Sequence, residues 1–251
     1  LIQGYEVWTG GEVRDRVHAA LRLPGRKIAI SQALARQICA ALGAGAHAQL
    51  TTPGAGKWYR TGGAEASQDI ELSVAEGATL EWLPQETIVF NGARARMHTR
   101  VSLAADSRFI GWDILCLGRT ASGERFDTGH VDLHYRIERA GSPLWIERGS
   151  FQGADPMLAS PAGWAGAPVC GTLLASFPEL STHSTELLER CRQVAPADGA
   201  GHAVTALPGL LVARYLGASS EAARLWFAAL WAIIRPLCCG RPALLPRIWN
   251  T

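Results

Sequence analysis

The chain has 251 residues, enough for one large domain or two small ones with a sizeable core. Its 24 basic and 22 acidic residues leave a formal net charge of +2, so no global field gathers nucleic acid or an anionic membrane. No run of about 18 apolar residues is long enough to span a membrane, the opening LIQGYEVWTGGEVRD lacks the hydrophobic stretch of a secretory signal, and the six cysteines form no C-x-x-C pair. Together these features predict a cytoplasmic protein with reduced thiols.

Residues 1–42 stand apart as an atypical N-terminal segment, with alanine-rich, helix-permissive stretches such as RKIAISQALARQICAAL. From residue 43 the pattern changes to short segments of period two. AHAQLTT, IELSV, TLEWL, ETIVF, ARMHTRVSL, RFIGWDILCLG, HVDLHYRIER and PLWIERGSF all read as strands, separated by Gly and Pro turn signals. Asn91-Gly92 predicts a two-residue hairpin loop. After the Gly- and Pro-rich stretch GADPMLASPAGWAGAP come a short strand, GTLLASF, and a helix from about Thr182 to Val194 with Thr182 or Ser184 as cap. A further strand, LPGLLVARYLG, precedes a helix from about Ser220 to Arg235, whose apolar face repeats at three-and-four spacing and which Pro236 ends. The prediction is a mainly β chain of stacked, meandering or solenoid-like sheets, a single domain over 43–251 with two or so C-terminal helices. Nine tryptophans are many for this length; most should fill the core and some should belong to a docking surface.

Signatures of catalysis are missing: there is no G-x-S-x-G, no H-E-x-x-H and no phosphate loop ending in G-K-[ST]. Lys57 in TTPGAGKWYR lacks the following Ser or Thr and reads as a plain turn. His130, Asp132 and His134 share one face of a strand and could present two imidazoles and a carboxylate to a transition metal. The simpler reading is a solvated face, with Val131, Leu133 and Tyr135 pointing to the core. Cys238 and Cys239 are adjacent, and adjacent cysteines seldom converge on one ion without ligands from elsewhere. Glu81, Asp113 and Glu147 sit beside tryptophans in apolar strands, where an ionised carboxylate is costly unless it is paired or metal-bound. Either each pairs with an arginine such as Arg119 or Arg148, or the three line an internal polar passage for a divalent cation.

The runs TTPGAGKWYR, ATLEWLPQETIVFNGARARM, FIGWDILCLGR, PLWIERG, VCGTLLA and RPALLPRIWNT closely resemble the UreD (UreH) family of urease accessory proteins, in chain order over residues 43–251. The resemblance implies a non-catalytic scaffold of stacked strands. Such a scaffold binds UreF, and through it the GTPase UreG, in a hetero-oligomer containing two copies that docks on apo-urease. No cofactor stays bound, and nickel is in transit. By motif match, Asp113 and Glu147 take positions the family needs for nickel handling, and Gly56 lies near the route; Glu81 joins them as a buried acid. Residues 1–42 depart from the family pattern, as a diverged or frame-shifted segment, with Leu34 where the family has an acidic residue. Trp249, near the C-terminus, is expected to be exposed and to contribute to UreF docking.

Overall fold

Alternating side chains build two stacked sheets. The computed structural model describes residues 6–9, 17–22 and 35–250, so Leu34 lies outside the described residues. The nine-stranded sheet contains β1 (Glu6–Thr9), β4 (His47–Thr51), β7 (Thr79–Leu83), β10 (Arg108–Leu117), β13 (Val169–Ser176), β15 (Leu210–Gly217) and β14 (Gly201–Leu207), in that order. Beside this path β8 (Thr87–Val89) pairs with β10, and β5 (Gly56–Trp58) pairs with β8. The six-stranded sheet runs β12 (Ser142–Gln152), β11 (His130–Arg139), β9 (Arg94–Leu103), β6 (Ala66–Val74), β3 (Ala35–Leu42), β2 (Val17–Arg22).

Of the expected arrangements, the connectivity is the solenoid-like coil and not the meander. From β3 to β11 the chain passes repeatedly from one sheet to the other. In the larger sheet β4, β7 and β10 therefore lie parallel, as do β3, β6, β9 and β11 in the smaller one. Asn91-Gly92 accordingly closes no hairpin: β8 and β9 belong to different sheets, and Asn91 Oδ1 instead accepts from the backbone N–H groups of Asp127 and Thr128 at 3.0 and 2.8 Å. Helix permissiveness also misleads at the start. Ala35–Leu42 is a strand, because Ile38, Ala40 and Leu42 alternate into the core while β6 supplies a parallel partner along the whole length.

Among the described residues there are three α-helices: α1 (Pro156–Ala159), α2 (Leu180–Arg192) and α3 (Ser220–Cys239). The helix α2 begins at Leu180, ahead of the predicted caps, and no side chain caps its first turn. LPGLLVARYLG is the second half of a hairpin, since β14 turns at Pro208-Gly209 into β15. Pro236 does not end α3, which runs one turn further and stops at Gly240, in the left-handed conformation a glycine adopts without strain. That extra turn places Cys238 and Cys239 inside the helix.

Ser219 caps α3 by accepting from the backbone N–H of Ala222 at 3.1 Å. The helix packs Phe227, Leu230, Trp231 and Ile234 onto the outer face of the larger sheet, against Trp112, Ile114 and Leu173. A Cβ at Gly171 would stand 2.8 Å from the Phe227 ring, so glycine there lets α3 approach. Among the described residues α3 is the one helix long and apolar enough to cross a membrane, and half of that stretch is buried in this core. A second apolar layer, with Leu72, Leu80, Val101, Phe109 and Ile137, fills the space between the sheets. Trp249 is a correction to expectation. It is buried against Trp112 and Trp231 and donates from Nε1 to Thr51 Oγ1 at 2.8 Å, so it belongs to the core and not to an exposed docking face.

Candidate functional site

Between the two sheets the apolar filling is interrupted by a polar belt. On one side lie Phe109, Leu174, Val212 and Ile137, and on the other Leu115, Val131 and Phe151. Register sets the belt. Asp113 of β10 stands opposite Thr172 of β13, which stands opposite Arg214 of β15, while across the gap Glu147 of β12 stands opposite Tyr135 of β11. Arg214 Nη1 links the sheets by donating to Glu147 Oε1 at 2.6 Å and to Thr172 Oγ1 at 3.0 Å, and its guanidinium lies 5.4 Å from the Trp145 ring centroid.

Asp113 is less well served. Burial, and then the negative charge of Glu147, push its carboxyl up from 3.8 to about 6, and among the described residues no basic side chain pairs with it. Burial likewise drives the Tyr135 phenol well above its ordinary range, with both carboxylates adding to the effect. The Cys170 thiol is raised to about 11, chiefly by burial. Tyr135 Oη and Trp145 Nε1 are both buried without a hydrogen-bond partner. Two carboxylates from different sheets, one of them without a basic partner among the described residues, thus face the same inter-sheet space.

Glu81 lies on the opposite face of the larger sheet, against α3. Its side chain is fully buried, and its two oxygens meet four groups: Trp231 Nε1 at 2.7 Å and Arg235 Nε at 2.8 Å on Oε2, and Arg235 Nη2 at 3.0 Å and His47 Nε2 at 2.8 Å on Oε1. Burial favours the protonated carboxyl, but the hydrogen bonds and charges of His47 and Arg235 outweigh it and hold Glu81 below its ordinary value. Burial also lowers the His47 imidazole. Cys239 and Glu81 reverse that and raise it to about 9. Cys239 is brought below the ordinary thiol value by its hydrogen bond to Cys238 and by His47, against burial.

The structure thus brings Asp113 and Glu147 together and sets Glu81 apart, with the sheet between them. Gly56 lies in β5, at the Leu115–Leu117 end of β10, and a Cβ there would make only an ordinary 3.6 Å contact with Thr87 Oγ1. The expected ion pairs formed with other partners: Arg119 pairs with Glu124, and Arg148 reaches His134, while Arg235 and Arg214 serve Glu81 and Glu147. Sequence distance concealed both pairs, the first spanning 154 residues and the second 67.

His130, Asp132 and His134 do share the outward face of β11. His130 Nε2 lies 3.2 Å from Ser150 Oγ, while Asp132 and His134 border a surface depression of about 340 Å³ together with His98 and Arg148. His98 escaped sequence reading because only the parallel register of β9 and β11 sets it beside His134, ring centroids 5.7 Å apart. Arg148 Nε lies 3.4 Å from His134 Nε2, and burial followed by the Arg148 charge keeps that imidazole below its ordinary range.

Known proteins with similar sequences match most of this chain and about three quarters of their own length. The model of the UreD urease accessory protein family matches residues 36–250. The urease accessory protein UreD of Dechloromonas aromatica (strain RCB) is 71% identical over 214 residues, covering 85% of this chain and 74% of the relative. That of Azoarcus sp. (strain BH72) is 51% identical over 210 residues, 84% of this chain and 72% of the relative. That of Nitrosococcus oceani is 49% identical over 234 residues, 93% of this chain and 76% of the relative. With a match that begins inside β3 and runs through both sheets and all three helices, this chain belongs to the UreD family of urease accessory proteins.

Proposed function

We propose that the chain is a non-catalytic scaffold of urease maturation, working in the cytoplasm, through which nickel passes on its way to apo-urease. UreF binds it and brings UreG, whose GTP hydrolysis supplies the energy, in a hetero-oligomer containing two copies. The observation that supports this reading best is the facing of Asp113 and Glu147 across the gap between the sheets, with Tyr135 Oη buried and unpartnered beside them. A passing divalent ion needs oxygen ligands that are not already locked, because a site that conducts must bind weakly enough to let go. Glu147 is held through one oxygen by Arg214, and both side chains are about one third exposed, so this ion pair can open without unfolding the sheet.

The scaffold reading is tested by reconstitution of apo-urease with UreF, UreG, nickel and bicarbonate. Addition of this chain should raise urease activity, and Asp113→Ala or Glu147→Ala should lower activation at least tenfold while complex formation with UreF persists. Equal loss of activation and assembly would assign both residues a structural role instead. If His134→Ala abolished nickel binding while Asp113→Ala left it intact, the outward face of β11 would be the metal site and the inter-sheet route would be wrong.

A further inference from the structure

Three segments far apart in the chain deliver an imidazole, a carboxylate and a thiol to one spot: His47 opens β4, Glu81 is the centre of β7 and Cys239 closes α3. Their ligand atoms all lie within 4.8 Å of one another. From this geometry we infer that His47, Glu81 and Cys239 form a resident binding site for a divalent ion of the zinc, cobalt and nickel class, separate from the Asp113–Glu147 layer.

The donor set selects that class. Mixed nitrogen, oxygen and sulfur ligation suits borderline transition ions, whereas calcium and magnesium take oxygen alone. The supporting shell is in place as well. Trp231 and Arg235 immobilise Glu81, and its Oε1 stands 2.8 Å from His47 Nε2, where an ion can take the place of the shared proton. Three protein ligands leave one tetrahedral position open to a water molecule. The outside ligands that adjacent cysteines lack in sequence are thus supplied by β4 and β7. Entry requires no unfolding, because His47 and Cys239 are only half-buried.

The test uses the full chain, reduced and freed of metal, with Co²⁺ as the probe. Cobalt should produce a thiolate-to-metal charge-transfer band in the near ultraviolet that saturates at one equivalent. Cys239→Ser should abolish the band, His47→Gln should weaken cobalt binding by about tenfold or more, and Cys170→Ser should leave both unchanged. No band, or a band that survives Cys239→Ser, overturns the inference. A band lost in Asp113→Asn but kept in Cys239→Ser also overturns it, by placing the ion between the sheets. Should Cys239→Ser fail to fold, the unmodified chain still decides. Zn²⁺ should slow alkylation of Cys239 by iodoacetamide at least tenfold, read by peptide mass spectrometry, and equal labelling with and without Zn²⁺ would rule the site out.

Discussion

The larger sheet carries an acid on each face, Glu81 fully buried and Asp113 half-buried, and the two are treated in opposite ways. On the helix side Glu81 receives every hydrogen bond its oxygens can accept, with Arg235 as an equally buried counter-ion. On the inter-sheet side Asp113 has a carboxylate neighbour instead of a cation, and a phenol and an indole nearby lack partners. A satisfied cluster is rigid and suits retention, whether of the fold alone or of an ion. An unsatisfied one is costly to keep, and the proposed passage of a cation would relieve that cost.

The comparison can be broken by substitution. The largest effect belongs to Glu81→Ala, which strands Arg235 and should cost about 3–5 kcal/mol in urea denaturation. A loss below about 1 kcal/mol would mean that the cluster is not a locked one. Asp113→Asn should go the other way. A carboxyl whose folded-state pKa is raised from 3.8 to about 6 destabilises the fold increasingly as pH rises through that interval, and fully above it. The variant should therefore be more stable than the parent by on the order of 1–3 kcal/mol at pH 7.5, the advantage shrinking below pH ~6 and vanishing by pH ~4. A pH-independent difference between the two melting curves would show that Asp113 is not strained.

Glu147→Gln sharpens the contrast within the belt. Its partner Arg214 is about one third exposed and retains Thr172 and Trp145, so the loss should be no more than about 1 kcal/mol, and weaker in high salt. A loss as large as that of Glu81→Ala would make the two faces alike. Smallest of all, His134→Ala on the solvated face of β11 should shift stability by less than about 0.5 kcal/mol in the same denaturation assay.

What the sequence determined by itself is the class and most of the pieces. Period-two alternation marks most strands from β4 onward, though not β5, read as a turn, or β14, the three-and-four repeat marks α3, and motifs such as LEWLPQETIVF identify the family. It also singled out Glu81, Asp113 and Glu147, because a carboxylate beside tryptophan in an apolar strand demands an explanation wherever it lies. Tertiary structure alone decided which acids meet. Strand alternation tells that two side chains share a face of one strand, but not which sheet that strand joins or what covers it. Hence Asn91-Gly92 looked like a hairpin, Trp249 like an exposed anchor and Ala35–Leu42 like a helix. The same limit hid Arg235 from Glu81 and His98 from His134. Charge pairing and metal ligation act over a few ångströms in space, and in a coiled stack of parallel strands such neighbours come from consecutive turns of the coil or from a helix laid across it, tens to hundreds of residues away in the chain.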